Sequence, residues 1–168
     1  MKMIRDAILI VIIGAAVGLG VNTGRNAADK GLPLKTHWLD NRKIQALDKP
    51  PSYQPGDSLL SLEDAYSLYL DSMTIFLDAR PSDEYDQGHI KGAINLPFEE
   101  WDQYWDKVKP QLDSTREIVC YCEGLDCELS LFAARELKQD GYPKAYIFFG
   151  GWLKWKDANL PIESAEQR

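Results

Sequence analysis

The stretch "EIVCYCEGLDCELSLFAARELKQDGY", residues Glu117–Tyr142, decides the fold because its pattern changes from that of a strand to that of a helix across a short loop. Its first part, Glu117–Cys122, is short and apolar, as expected of a buried strand. Its last part, Leu129–Tyr142, has helical spacing and reaches Gly141, a residue type that commonly ends helices. The stretch therefore predicts a strand, a loop and a helix in that order.

The same alternation continues on both sides of this stretch. A capping-box pattern, Ser61–Asp64, precedes a run with helical spacing. The other predicted elements are short apolar strands and helices: strands Thr74–Ala79, Gly92–Pro97 and Lys144–Phe149, an amphipathic helix Phe98–Gln111, and a short helix after Gly150–Gly151 that holds Trp152 and Trp155. Strands that alternate with helices predict an α/β fold with a parallel sheet covered on both faces. In such sheets, sites form at the carboxyl ends of strands.

Cys122 lies at such a carboxyl end. Side chains alternate along a strand, so Cys120 and Cys122 share a face; Cys120 lies mid-strand as an inert packing residue, and Cys122 is expected to be exposed to the loop. Unpaired N–H groups at the start of the next helix, near Ser130, would stabilise a thiolate and lower its pKa. Gly124 lets the backbone curl around the sulfur. The alternative is that Cys122 simply packs.

The cysteines are clustered rather than spread. All three, Cys120, Cys122 and Cys127, lie within eight residues, whereas a disulfide framework joins distant parts of a chain. They indicate a local chemical site. Cys122 and Cys127 would supply only two metal ligands and no histidine has suitable spacing, so no metal is expected.

Two motifs resemble one known family. "LDARPSDEYDQGHIKGAINLP" (Leu77–Pro97) is similar to the signature of rhodanese-like domains, and "IVCYCEGLDCELSLFAARELKQDGY" followed by "AYIFFGGWLKW" resembles the remainder of such a domain. The resemblance covers about Ser58 to Pro161. It implies the rhodanese-like fold with a central five-stranded parallel sheet and helices on both faces. It also implies a sulfurtransferase without a cofactor, in which Cys122 takes sulfane sulfur from a donor as a persulfide and passes it to a thiol acceptor.

The resemblance also implies roles for residues outside the loop. Asp78 and Arg80 resemble the family's structural pair near the active loop. Glu84 and His89 resemble its scaffold and capping residues. Transfer from a persulfide needs no histidine base, so His89 is expected to be structural.

The loop departs from the family's usual pattern of Cys, four residues, Arg, then Ser or Thr. Cys127 stands where the arginine would, and the loop is about two residues longer. Its other residues add acidic charge and no cation: Glu123, Gly124, Leu125, Asp126 and Glu128, ahead of Ser130. An acidic loop should bind the thiosulfate dianion weakly and raise a thiolate's pKa, and without the arginine a phosphatase is disfavoured. Cys127 could be a resolving thiol that forms a disulfide with Cys122, a second sulfur-relay thiol, or a packing residue.

The amino terminus carries a membrane signal. Ala7–Gly24 contains no charged residue, and Lys2 and Arg5 precede it. As a helix these 18 residues would rise about 27 Å, just enough to span a hydrocarbon core of roughly 30 Å. We expect residues 1–24 to be a signal anchor with the remainder on the extracytoplasmic side, residues 25–57 to be an extended linker, and residues 58–168 to be the domain. A cleaved signal peptide and a buried soluble helix are the alternatives.

Charge excludes one class of partner. Residues 58–168 hold eleven basic and 21 acidic side chains, a net charge of −10. Nucleic acid needs cationic partners, so no nucleic-acid binding is expected. Three hypotheses remain: a membrane-anchored sulfurtransferase using Cys122, a dithiol redox relay through Cys122 and Cys127, and a non-catalytic binding module that retains the fold.

Overall fold

The computed structural model describes residues 49–124 and 126–165. The predicted signal anchor and most of the predicted linker lie outside these residues, as does Leu125. Within the described part of the chain, no helix combines the length and apolar character needed to cross a membrane.

A parallel sheet forms the centre of the domain. Its four strands are β1 Ile75–Asp78, β3 Ile94–Asn95, β4 Ile118–Tyr121 and β5 Ala145–Phe148, in the order β3-β1-β4-β5. Cys120 of β4 lies opposite Leu77 of β1 on one side and Ile147 of β5 on the other. The predicted alternation of strands and helices is confirmed, and β4 lies inside the sheet.

The expectation of a five-stranded sheet is met only in part, because the structure has four parallel strands. The place of a fifth strand, beside β5, is held by a single parallel bridge between Leu59 and Ile147. The bridge is supported by two backbone bonds of 2.8 Å, from Leu60 N–H to the Ile147 carbonyl and from Ile147 N–H to the Ser58 carbonyl. It goes no further because Ser61 caps a helix directly after it: the Ser61 hydroxyl accepts a bond from the Asp64 amide at 3.1 Å.

A second, two-stranded antiparallel sheet joins β2, His89–Ile90, to β6, Ile162–Glu163. The sequence analysis predicted neither strand. Each strand has only two residues, which is too short for a recognisable alternation of side chains.

Five α-helices lie among the described residues, and they cover both faces of the parallel sheet. They are α1 Leu62–Tyr69, α2 Ser82–Gln87, α3 Trp101–Val108, α4 Leu129–Gln139 and α5 Gly151–Asp157, with 3-10 turns at Phe98–Glu100 and Lys109–Gln111 around α3. Gly141, at φ +92°, follows the end of α4, as predicted. Its left-handed backbone lets the Tyr142 amide bond back to the Leu137 carbonyl at 2.9 Å.

Two hydrophobic cores result, one on each face. The first takes in Cys120 and Cys122 with the apolar side of α4, and the aromatic residues of α3 pack against it. The second surrounds Trp155, which is wholly buried. The two cysteines thus share a face, as the strand alternation predicts, and that face is the one covered by α4.

Candidate active site

Cys122 directly follows β4 and is wholly buried, with 0% of its surface exposed. The expectation of a thiol exposed to the loop is therefore wrong. The Cys122 side chain belongs to the first core, on the face covered by α4. The backbone after β4 is held by α5, because the Cys122 carbonyl accepts a bond from the Trp152 amide at 2.8 Å and the Glu123 carbonyl accepts one from the Leu153 amide at 3.0 Å. These bonds attach the start of the loop to α5.

The sulfur of Cys122 points towards the start of α4. Its thiol donates to the carbonyl oxygen of Cys127 at 3.2 Å and lies 3.6 Å from the hydroxyl oxygen of Ser130. Ser130 is wholly buried in the first turn of α4. Both its hydroxyl and its backbone N–H act to lower the pKa of Cys122. The predicted contact between Cys122 and the helix start is thus present.

The pKa of Cys122 is nevertheless raised overall, because other contributions outweigh the predicted lowering by the helix start. The largest cause is the interaction with the adjacent Cys127 side chain, followed by burial and by repulsion from a Cys127 thiolate. The pKa of Cys127 is lowered to about 6, chiefly by the interaction with the Cys122 side chain; backbone N–H groups of Leu129, Glu123 and Gly124 also lower it, while burial opposes them. Cys127 is the more acidic thiol of the pair.

This order of acidity predicts a pH dependence. A lowered pKa means that the charged, reactive form persists to lower pH, so alkylation of Cys127 should accelerate as pH rises through about 6 and then level off. Cys122, with its raised pKa and buried sulfur, should stay unreactive over the same range. Iodoacetamide labelling from pH 5 to 8, with the labelled cysteine located by mass spectrometry, measures this. In urea the thiols of Cys122 and Cys127 should both titrate at about 8.5. An inflection of the Cys127 labelling rate at that pH in the folded protein would contradict its lowered pKa.

Gly124 and Gly151 let the loop and the start of α5 come into contact. Gly124 has φ +107° and Gly151 φ +58°. A β-carbon on Gly124 would overlap the Gly150 carbonyl oxygen, and one on Gly151 would overlap the Cys122 carbonyl oxygen. Gly124 is therefore required for close approach of two backbones as well as for its φ angle.

Behind the loop, Asp78 and Arg80 form a buried ion pair. The Arg80 guanidinium reaches Asp78 through Nη2 at 2.7 Å and through Nε at 3.1 and 3.2 Å, with exposures of 3% and 0%. Its Nη1 bonds the Glu123 carboxylate at 3.1 Å, and Nη2 also bonds the Gly88 carbonyl at 2.8 Å. The pair thus connects the end of β1 to the cysteine loop. The resemblance implied a structural pair near the loop, and the structure adds that Arg80 binds a carboxylate of the loop itself.

The two other residues implied by the resemblance lie away from the sulfur. Glu84 is exposed on α2, beside Arg80 in a cleft of about 470 Å³ that Trp152 also lines. His89 is buried in β2, where its ring stacks on Tyr85 at 3.6 Å and Nδ1 lies 2.7 Å from the Tyr85 carbonyl oxygen. The structure therefore places His89 among residues that hold the fold.

The acidic residues of the loop have separate surroundings. Asp126 is exposed. The Glu128 carboxylate is held by Ser52, whose amide and hydroxyl donate to it at 2.7 and 2.9 Å. Arg135 secures the same segment, bonding the Ser52 carbonyl and the Asp57 carboxylate at 2.8 and 2.7 Å. Sequence reasoning missed Ser52 because it lies 76 residues from Glu128 and in no motif.

These contacts predict that Glu128→Ala lowers the free energy of unfolding by about 1.5–3 kcal/mol, the range for bonds to a charged, partly buried group. Urea denaturation of the variant measures this. Asp126→Ala is the matched control, since an exposed substitution should change stability by less than about 0.5 kcal/mol. Equal stability of the two variants would contradict the role of the Ser52 contact.

Comparisons with known proteins agree with this architecture. The chain matches the rhodanese-like domain family over residues 61–158. It is 37% identical over 87 residues to an HTH-type transcriptional regulator of Mycobacterium tuberculosis, covering 52% of this chain and 36% of the regulator. It is 29% identical over 102 residues to thiosulfate sulfurtransferase 18 of Arabidopsis thaliana, covering 55% of this chain and 74% of that protein. The chain thus spans about a third of the length of the first of these relatives.

A solved structure shows the same fold. The solution structure of the rhodanese-like domain of an Anabaena sp. protein superposes with a TM-score of 0.53 at 26% identity, covering 68% of this chain and 84% of that one. The family match includes β1 to β5, the cysteine loop and α5. Because the match spans more than half of the chain's residues, the chain belongs to the rhodanese-like domain family.

Proposed function

We propose that this protein is a sulfurtransferase that carries sulfane sulfur as a persulfide on Cys122. One observation carries the proposal: the Cys122 sulfur lies at the carboxyl end of β4, against the buried Ser130 at the start of α4. The Ser130 hydroxyl and N–H both favour a negative charge on that sulfur. In a persulfide the charge is carried by the outer sulfur, one S–S bond of about 2 Å beyond Cys122 Sγ, so we expect it to lie near the same helix start.

The chemistry balances without an oxidant. A cysteine thiolate attacks the outer sulfur of a donor, the donor's S–S bond breaks, and the donor leaves as a thiolate. An acceptor thiolate later removes the outer sulfur and restores the cysteine. The Arg80 guanidinium is bound to the Glu123 carboxylate, and the Glu128 carboxylate is bound by Ser52. The described loop therefore offers no free cation to a dianion. The proposed donor is therefore a persulfide or polysulfide rather than thiosulfate, although the plant relative is named for thiosulfate.

Sulfur loading of the full chain tests the proposal. After treatment with glutathione persulfide, mass spectrometry should find one added sulfur on Cys122 in the wild-type protein and none at position 122 in Cys122→Ser. Cys120→Ala is the matched control, because Cys120 is equally buried but lies mid-strand, and it should load normally. Normal sulfur transfer by Cys122→Ser would sink the proposal and favour a binding module.

A second candidate, a dithiol redox relay, is favoured by the proximity of the two cysteines, since the Cys122 sulfur lies 3.2 Å from the Cys127 carbonyl oxygen. In that reaction, an oxidant removes two electrons and two protons from the thiols as the S–S bond forms. Thiol titration after mild oxidation would then show loss of these two thiols, with Cys120 unchanged. Retention of both thiols would rule the relay out.

We also propose that residues 1–24 anchor the protein in a membrane with the domain on the extracytoplasmic side. The support is the uncharged run Ala7–Gly24 preceded by Lys2 and Arg5. An anchored chain should stay with membranes on carbonate extraction, and the charged double variant Ala15→Arg/Val17→Arg should be released. Protease should digest the domain from the outer side only. Release of the wild-type chain by carbonate would contradict the anchor.

A further inference from the structure

We propose that Cys127 is the entry thiol of the site: it takes the sulfane sulfur from the donor and hands it to Cys122. This inference rests on the proposed function, since it assumes that the sulfur finally resides on Cys122. It assigns a catalytic role to the residue that stands where the family pattern has an arginine. It also gives the reaction an order, with an outer thiol that meets the donor and an inner thiol that stores the sulfur.

Access is the first argument. Cys122 has no exposed surface, since its side chain lies in the first core, on the face of the sheet covered by α4. Cys127 is partly exposed on the outer part of the same loop. A donor approaching from solvent therefore reaches the sulfur of Cys127 while that of Cys122 is still covered. Direct attack by Cys122 would first require its sulfur to be uncovered.

Ionisation is the second argument. Attack on a sulfane sulfur requires a thiolate. The Cys122 side chain and nearby backbone N–H groups favour the Cys127 thiolate and lower its pKa to about 6 despite partial burial. Cys122 stays protonated at the same pH, because burial and the Cys127 charge both disfavour a second thiolate. The exposed thiol is thus also the charged one.

Proximity of the two cysteines is the third argument, because it allows direct transfer: the Cys122 sulfur lies 3.2 Å from the carbonyl oxygen of Cys127. The Cys127 thiolate attacks the outer sulfur of the donor, whose S–S bond breaks, and Cys127 becomes a persulfide. Cys122 then passes its proton to the Cys127 sulfur, and the Cys122 thiolate so formed attacks the outer sulfur of that persulfide. A new S–S bond forms on Cys122, the S–S bond on Cys127 breaks, and Cys127 leaves as a thiol. Atoms and electrons balance, with no net oxidation or reduction.

Retention on Cys122 follows from the same geometry. Ser130 is buried beside the Cys122 sulfur at 3.6 Å and stabilises negative charge there. The Cys122 position is also buried, which shields a persulfide there from reductants in solution. The inner position is therefore suited to storage.

A single-turnover experiment on the full chain tests the order. Glutathione persulfide is mixed with protein at pH 7, the reaction is quenched at intervals with an alkylating agent, and mass spectrometry locates the added sulfur. In the wild-type protein the sulfur should appear first on Cys127 and then on Cys122. In Cys122→Ser the sulfur should reach Cys127 and stay there.

Cys127→Ser is the decisive variant. Its Cys122 should load at least about 30-fold more slowly at pH 7, since even a thiol with a pKa near 8.5 is only a few per cent ionised there. Loading of Cys122 at the wild-type rate would overturn the transfer from Cys127 to Cys122 but leave the proposed function intact. Absence of sulfur from Cys122 in every protein, wild type included, would overturn both. If Cys127→Ser does not fold, the wild-type time course is decisive by itself. Sulfur found on Cys122 before Cys127 would overturn the transfer from Cys127 to Cys122.

Discussion

Arg80→Met should lower the free energy of unfolding by about 3–5 kcal/mol, the typical cost of removing one partner from a buried ion pair. Asp78 has no exposed surface, and the Arg80 guanidinium binds both of its carboxylate oxygens. Methionine preserves much of the volume of arginine but leaves the Asp78 charge buried without a cation. Urea denaturation followed by circular dichroism measures the loss.

The double variant Asp78→Asn/Arg80→Met is the control for this prediction. It removes the charge that the single variant strands, so it should be more stable than Arg80→Met alone. A double variant whose destabilisation equals the sum of those of Asp78→Asn and Arg80→Met would show that the two side chains are not coupled as an ion pair. The guanidinium does lie 5.0 Å from the Trp152 ring, so packing contributes in either case.

Gly124→Ala should have the second large effect, on stability and on sulfur loading together. Its φ of +107° is unfavourable for alanine, at a cost of about 1–3 kcal/mol. Its β-carbon would also overlap the Gly150 carbonyl oxygen, so the loop must move away from α5. Because Gly124 lies between Cys122 and Cys127, a displaced loop would move the reacting sulfurs. We therefore expect the rate of sulfur loading to fall by at least about tenfold, since small displacements at a reacting centre have effects of this size or larger. Urea denaturation and the persulfide loading assay measure the two effects.

Gly141→Ala separates backbone strain from the clash. Gly141 has a similar φ of +92°, but a β-carbon there would meet nothing within 4 Å. This variant should lose only about 1 kcal/mol and should load sulfur at the wild-type rate. Equal stability and equal loading rates of Gly124→Ala and Gly141→Ala would show that the contact between the loop and α5 affects neither property.

Much of the fold could be predicted from the sequence because it depends on local patterns. The capping box at Ser61, the strand before Cys122 and the glycine after α4 all lie where the sequence predicts them. These features act over a few residues, through backbone bonds and side-chain periodicity. The predicted fifth strand is the exception. A single bridge at Leu59 lies in its place, because the helix capped by Ser61 begins directly after it.

The chemistry of the loop could be predicted only in part. The sequence identified Cys122, Cys127 and Ser130 as neighbours, since they lie within nine positions of one another. It could not show which thiol is buried or which is acidic. Those properties depend on bonds from Trp152 and on the direction in which each sulfur points. Two bonds to the loop carboxylates likewise come from far away, from Ser52 and Arg80.

By itself, the amino-acid sequence determined the order of the elements, the α/β class and the strand end where the cysteines lie. Only the tertiary structure decided that Cys122 is covered, that Cys127 is the acidic thiol, and that a buried ion pair supports the loop. The difference arises from the distance along the chain over which each interaction acts. Periodicity and capping act between residues a few positions apart, whereas burial and the pKa of a thiol depend on every group that folding brings around it, however distant along the chain.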